Sequence, residues 1–283
     1  MEGSEKPLFN QRFELSFKAV LVRCLDGQKR RLSHASGFLR REGDKLFLYT
    51  CWHVVTGYDR NDLRIGSRLP NREFIAVDLQ GLDNRQPGIE VVGGLQSLVL
   101  PLYDTSLSPK KPTWLQDRRH IPHPDLNAVS LFVPFWHDAV RIELPDGLAV
   151  SDLQVIEEQD AFPSNTLLTP GDKLYVVGFP YGFSAHGAAQ PTPIVLTRFV
   201  AATRIDGRHQ EILLESTGAP GMSGGPVFVE RGESIHLLGM YTGLLYPDHA
   251  AEGNEKHTAL GTCSNMSLHL WGHLPLVRAP DES

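Results

Sequence analysis

The sequence predicts an all-β protein made of two β-units. Short apolar runs separated by turn residues recur along nearly the whole chain. The 26 glycines and 20 prolines among 283 residues supply many tight turns. Helical periodicity is confined to one stretch, 264–275 (SNMSLHLWGHLP), where apolar residues recur three to four apart and predict a short C-terminal helix. Many short strands with few helices favour a sandwich or a barrel. A doubly wound α/β fold would need long helices between its strands, and the sequence holds none.

The elements follow in order. The segment 13–24 (FELSFKAVLVRC) alternates and then becomes continuously apolar, predicting a strand that ends at the hairpin signal Asp26-Gly27. Residues 35–55 read as strand, a turn at Glu42-Gly43-Asp44, a second strand, and a short segment after Thr50. Further strands are predicted at 74–79, 96–103 and 128–133. The second half repeats the style at 173–179, 193–204, 211–216, 226–230 and 234–245. The stretch 104–124 reads as a surface insertion. The polar region 134–170 reads as the link between the two units, which divides the chain into 1–140 and 141–283. The basic clusters at 28–31 and 117–120 are short and read as solvated turns.

Composition narrows the function. Hydrophobic residues make up 41% of the chain and charged residues 21%, the balance of a globular protein. A net charge of −6 argues against nucleic acid as the main partner. Three cysteines cannot all pair and form no C-x-x-C, so a disulfide scaffold is not expected and a reducing compartment fits. The first residues lack a charged-then-apolar leader, and no stretch approaches the ~20 apolar residues that span a bilayer. A cytoplasmic protein without membrane contact is the resulting expectation.

The chemistry centres on 218–228, GAPGMSGGPVF. Ser223 sits among glycines and prolines ahead of an apolar run. The segment could be a mere tight turn or could present Ser223 as a nucleophile, and a serine hydroxyl needs a base and an orienting acid to attack. Histidine is the usual base. His53 leaves the apolar strand LFLYT with one edge free, although a structural histidine beneath a barrel end would look the same. Asp125 immediately precedes the apolar strand beginning at Leu126, with Asn127 on the same face as its rival. A strand-capping role would also suit Asp125.

Taken together, TCWHVV, DLNAVSL and GMSGGPVF resemble the His, Asp and Ser motifs of the chymotrypsin-like (trypsin-fold) serine peptidases, in that family's order along the chain. The bacterial HtrA-like branch is the closer likeness. GDKLYVVGFPYGFS, RFVAATR and EILLESTGAPGMSGGPVF extend it, so that it covers about residues 30–245. The resemblance implies two six-stranded antiparallel β-barrels with the active site in the cleft between them, 1–140 carrying His53 and Asp125 and 141–283 carrying Ser223. It implies His53 as general base, Asp125 as the acid that orients it, and Ser223 as nucleophile. The Gly221 and Ser223 N–H groups would form the oxyanion hole. It also implies substrate-binding residues Thr217, Gly218, Thr242, Gly243 and Leu244, with neutral Thr217 at the pocket base arguing against Lys or Arg selectivity. The substrate would be a protein or peptide, with neither cofactor nor metal required, and the long 56–124 region leaves room for a regulatory partner.

Three departures stand out. Met222 replaces the Asp or Asn usual before the serine. Disulfides are not expected, and 56–124 matches poorly. Two rival readings of the motifs are weak. GMSGG also fits G-x-S-x-G, but that elbow joins a strand to a helix and its histidine follows the serine. His120-x-x-His123 and His269-x-x-x-His273 have ligand spacing without further ligands nearby and read as surface or capping residues. A catalytically inactive relative that uses the same fold to bind peptides is the alternative function.

Overall fold

The computed structural model describes residues 8–57, 72–82, 85–107, 111–117, 138–162, 167–184, 191–206, 209–216, 218–245, 260–265 and 271–272. The first unit opens with a helix, α1 (Leu8–Glu14), and a 3-10 turn at Leu15–Phe17. Residues 13–17 are therefore helical where alternation predicted strand. Tertiary contacts decide this. Leu15 is buried, Arg12 pairs with Glu230 at 2.9 Å, and the Gln11 side chain donates to the Glu233 carbonyl and accepts from Ile235 N. The segment is clamped onto the second unit instead of joining a sheet.

Strands β1 (Val20–Leu25), β2 (Arg31–Glu42), β3 (Lys45–Thr50), β4 (Phe74–Asp78), β5 (Ile89–Val92) and β6 (Leu95–Pro101) follow. The β1–β2 hairpin turns on Asp26, whose carboxylate accepts the Gln28 and Arg30 N–H groups. In the stretch predicted as a surface insertion, β7 (Tyr103–Asp104) pairs with β8 (Lys111–Pro112), and β9 (Leu115–Asp117) joins the main sheet behind a buried Trp114. A large apolar ring needs burial, and that pulls this segment inward. β10 (Val140–Glu143) lies between β9 and β3, and β11 (Val155–Ile156) runs parallel to β2. The predicted strand at 128–133 lies outside the described residues.

The second unit is a closed six-stranded barrel. Its strands are β12 (Lys173–Gly178), β13 (Ile194–Asp206), β14 (His209–Leu214), β15 (Pro226–Arg231), β16 (Ser234–Leu245) and β17 (Leu260–Asn265), in the order β12-β13-β14-β17-β16-β15. The expected C-terminal helix is not formed at its described positions. Ser264 and Asn265 end β17, and β18 (Trp271–Gly272) pairs with β9 in the first sheet. The edges of β14 and β16 need a partner to close the barrel, and backbone pairing overrides the weak apolar spacing. The first sheet runs β18-β9-β10-β3-β2-β1-β4-β6-β5, so it recruits β10, β11 and β18 from beyond residue 139.

The alternation of β12 and β15 joins the two units. Leu174 and Val176 point into the second barrel, while Tyr175 and Val177 pack with the first unit's core. Val227 and Val229 likewise face the barrel and Phe228 faces the first unit. The loops at the ends of these strands therefore emerge at the seam. All three cysteines are buried thiols outside any disulfide. Among the described residues, no helix is long and apolar enough to cross a membrane.

Candidate functional site

His53 lies three residues past β3, in the short helix α2 (Trp52–Thr56). Cys51 is extended at the N-cap, and Gly57, with φ +81°, closes the helix through an N–H to the His53 carbonyl. The Arg72 guanidinium donates to the same carbonyl at 2.9 Å. The ring Nδ1 lies 2.6 Å from Asp138 Oδ2, and the His53 backbone N–H donates to Asp138 Oδ1 at 2.9 Å. The Asp138 side chain is 3% exposed and the His53 side chain 25%. One edge of the ring is thus held by a buried carboxylate while part of the ring reaches solvent.

Sheet register explains the meeting. β10 runs antiparallel to β3 with Val140 opposite Thr50. Two residues before Val140 therefore reach the same end of the sheet as the residues just after Thr50. In the sequence Asp125 and Asp138 each precede an apolar run. Asp125 lies outside the described residues, and the carboxylate that meets His53 is that of Asp138. Its signal was present in DAVRIEL, where apolar residues alternate behind an Asp, but only the β3–β10 pairing distinguishes it from DLNAVSL.

Ser223 sits in the turn leading into β15. Gly221 has φ +96° and Gly224 +88°, a region that disfavours side chains. A Cβ on Gly221 would collide with the Phe179 carbonyl, and one on Gly224 with Ser36 O and Thr50 Oγ1. Met222 is fully buried in the second barrel's core.

Every carbonyl from residue 219 to 223 is held. Ala219 O accepts Met222 N at 3.1 Å, Pro220 O accepts Tyr181 N at 2.5 Å, Met222 O accepts Gly225 N at 2.9 Å, and Ser223 O accepts Ser36 N at 2.9 Å. Gly221 O accepts the Ser36 hydroxyl at 2.7 Å. The N–H groups divide differently. Those of Met222, Gly224 and Gly225 donate within the fold, whereas those of Gly221 and Ser223 meet no acceptor among the described residues. The two donors are separated by Met222 alone, in the turn that carries Ser223.

The serine turn and the histidine helix share supports. The Tyr241 carbonyl accepts Gly224 N at 2.8 Å and the Cys51 thiol at 3.4 Å. Thr50 Oγ1 donates to Ser36 O at 2.9 Å. Residues neighbouring Ser223 and His53 are thereby tied to the same groups across the seam.

Of the expected substrate-binding residues, Thr217 lies outside the described residues. Gly218 donates its N–H to the Tyr241 hydroxyl at 3.0 Å. Thr242 is buried, with its hydroxyl 2.9 Å from that of Thr262, and Leu244 packs partly on the barrel core. Gly243 has φ +130° and open space where a Cβ would stand. The β16 ladder to β15 ends at Met240, whereas its ladder to β17 continues to Leu245. Tyr241 still bonds the serine turn through its N–H to Gly225 O and its carbonyl to Gly224 N; beyond it, residues 243–245 have β17 on one edge and no described strand on the other.

Cys51, His53 and Asp138 also offer a thiol, a ring nitrogen and a carboxylate within 4.8 Å of one another, a composition suited to a metal ion. These atoms are already engaged: the carboxylate with the His53 backbone N–H and ring Nδ1, the thiol with Tyr241 O. The two histidine pairs with ligand spacing, at 120/123 and 269/273, lie outside the described residues.

A family model described as trypsin-like peptidase domain matches residues 35–240. The chain is also similar to solved structures. One is the serine endoprotease from Yersinia pestis, at 17% identity and a TM-score of 0.47, covering 94% of this chain and 65% of that one, so the chain spans less than two thirds of that structure. Another is the Rv3671c protease from M. tuberculosis in its active form, at 15% identity and a TM-score of 0.44, covering 92% and 80%. No curated protein matches the chain.

Proposed function

The chain belongs to the trypsin-like peptidase domain family, and from that premise we propose that it is a serine endopeptidase acting through His53, Asp138 and Ser223. His53 takes the Ser223 proton through the ring edge not held by Asp138, then returns it to the leaving amine. Asp138 keeps Nδ1 protonated and stabilises the imidazolium. The Ser223 oxygen attacks the peptide carbonyl, the C–N bond breaks, and the acyl-enzyme is released by water along the reverse path.

The observation that carries this reading is the sorting of N–H groups around Ser223. The fold pins five successive carbonyls, yet the Gly221 and Ser223 donors meet no acceptor among the described residues. Such preorganised donors stabilise a developing oxyanion without reorganising, and losing one typically costs roughly 3 kcal/mol in the transition state. The edge at 243–245, with no described strand beside it, suits an extended peptide that adds as a strand. Thr217 and Gly218 on one side and Thr242 to Leu244 on the other would bound the pocket. Thr217 is neutral, so preference for a small, polar or apolar residue is expected over Lys or Arg.

Reaction with a fluorophosphonate probe tests the proposal. A stoichiometric adduct on Ser223, lost in Ser223→Ala, is expected. A folded protein that forms no adduct would instead be the inactive, peptide-binding relative.

A further inference from the structure

We propose that Ser36 is a positioning residue that holds the oxyanion-binding turn in its open form; this rests on the function proposed above. Ser36 lies in β2, in the first unit, and is completely buried. All three of its polar groups are committed. Its N–H donates to Ser223 O at 2.9 Å. Its hydroxyl donates to Gly221 O at 2.7 Å and accepts from Phe179 N at 2.9 Å. Its carbonyl accepts Thr50 Oγ1 at 2.9 Å. One residue of the first unit thus grips the carbonyls on both sides of Met222, in the second unit.

The consequence follows from peptide geometry. In a trans peptide the C=O and N–H point in opposite directions. Gly221 carries, on one peptide, an N–H with no acceptor among the described residues and, on the next, its gripped carbonyl. Glycine at φ +96° has many accessible backbone conformations, so without an anchor this turn could rotate its N–H away. The donor-bearing peptides 220–221 and 222–223 are held at their carbonyls by Tyr181 N and Gly225 N, and the two Ser36 bonds hold the alternate peptides 221–222 and 223–224, so neither Gly221 nor Ser223 can turn about its φ and ψ without breaking one of these bonds. Ser36 touches no reacting atom. It acts by keeping the Gly221 and Ser223 donors aimed at one point, and because it belongs to the opposite unit, the hole is assembled only when the two units are docked.

Deleting the hydroxyl leaves Gly221 O and Phe179 N buried without it. Removing an oxyanion donor outright lowers rate about 10²–10³-fold; misaligning one is expected to cost about tenfold to a hundredfold, in the chemical step rather than in binding. The test is two-step inactivation by a fluorophosphonate, with kinact and KI separated and normalised to the titratable fraction. Ser36→Ala is expected to lower kinact by about tenfold or more with KI within about threefold. Ser97→Ala is the control. It also removes a fully buried hydroxyl, bonded to Asp78 at 2.6 Å in the first sheet, and is expected to lower the melting temperature while leaving kinact unchanged. Gly178→Ala is the second variant, because its Cβ would lie 2.6 Å from Ser36 Oγ and displace the hydroxyl; it decides if Ser36→Ala does not fold. Wild-type kinact in the deciding variant overturns the inference while the proposed function stands. No labelling of wild-type protein removes both.

Discussion

Asp138 holds His53 at two points, with one carboxylate oxygen on the backbone N–H at 2.9 Å and the other beside ring Nδ1 at 2.6 Å. The first contact fixes where the residue sits and the second fixes how its ring is turned. Replacing Asp138 by Asn keeps the shape but offers an amide where a carboxylate oxygen stood. By the Ser-His-Asp template, reactivity should fall by about 10⁴. Asp125→Asn should stay within about twofold of wild type. Rates of fluorophosphonate inactivation check the pair, and the reverse ranking would return the acid's role to Asp125.

The buried position of Met222 suggests how the serine turn is held without the polar residue familiar at that place. Its side chain shares the second barrel's core with Leu174, Val176, Val227 and Leu238, so apolar burial pulls residue 222 inward. Met222→Leu should cost less than about 1.5 kcal/mol, as volume-conserving core swaps do. Met222→Asp would bury a charge with no cation in that cluster and should cost about 3 kcal/mol or more. Urea unfolding midpoints separate the two; an equally mild effect of Asp would disprove the anchoring role.

Gly224 and Gly171 have nearly the same φ, +88° and +90°, in different surroundings. A Cβ at Gly171 meets nothing within 4 Å, whereas one at Gly224 runs into Ser36 O and Thr50 Oγ1. Gly171→Ala should therefore cost only the left-handed backbone penalty of about 1–2 kcal/mol. Gly224→Ala should cost more than that and also slow Ser223 labelling, since it forces the seam apart. Thermal unfolding and labelling rates on both variants provide the check.

His34 predicts a pH dependence of stability. Its Nε2 is buried with no hydrogen-bond partner among the described residues, and its ring lies 3.0 Å from where a Cβ on Gly221 would stand. Burial first, and the Arg31 charge second, lower its pKa from the usual 6.5. The unfolded chain thus binds this proton more readily than the folded one, and stability rises with pH. The contribution is complete above about pH 6.5 and is lost as pH falls below it towards the depressed folded value. Unfolding midpoints measured from pH 7.5 to 5 should decline more steeply in wild type than in His34→Gln. Parallel slopes would assign the decline to other groups.

Much of the molecule was legible in the sequence because it is local. Strand LFLYT is apolar enough to be buried, and His53 can only emerge at its end. The spacing of glycines around Ser223 marks positions where backbone must approach backbone, and the structure finds Phe179, Ser36 and Thr50 at those places. The apolar runs of β12 and β15 announced strands, and their alternation supplied both a barrel interior and a face for the other unit.

What the sequence could not decide was every choice made by a partner far along the chain. Residues 13–17 alternate like a strand but are helical, because Arg12 and Gln11 find anchors more than two hundred residues away. Ser264 and Asn265 belong to an apparent helix but close a barrel, because an open sheet edge gains more from hydrogen bonds than a weak helix gains from its own. Asp125 and Asp138 look alike in sequence; the β3–β10 register brings Asp138 to His53. Ser36 carried no signal at all, since a serine in a strand is ordinary until its N–H and its hydroxyl are seen crossing the seam. The nucleophile's turn and the histidine's strand are properties of their own few residues. The acid, the anchor and the unused donors arise from the docking of two units, where sequence separation exceeds the reach of any local pattern.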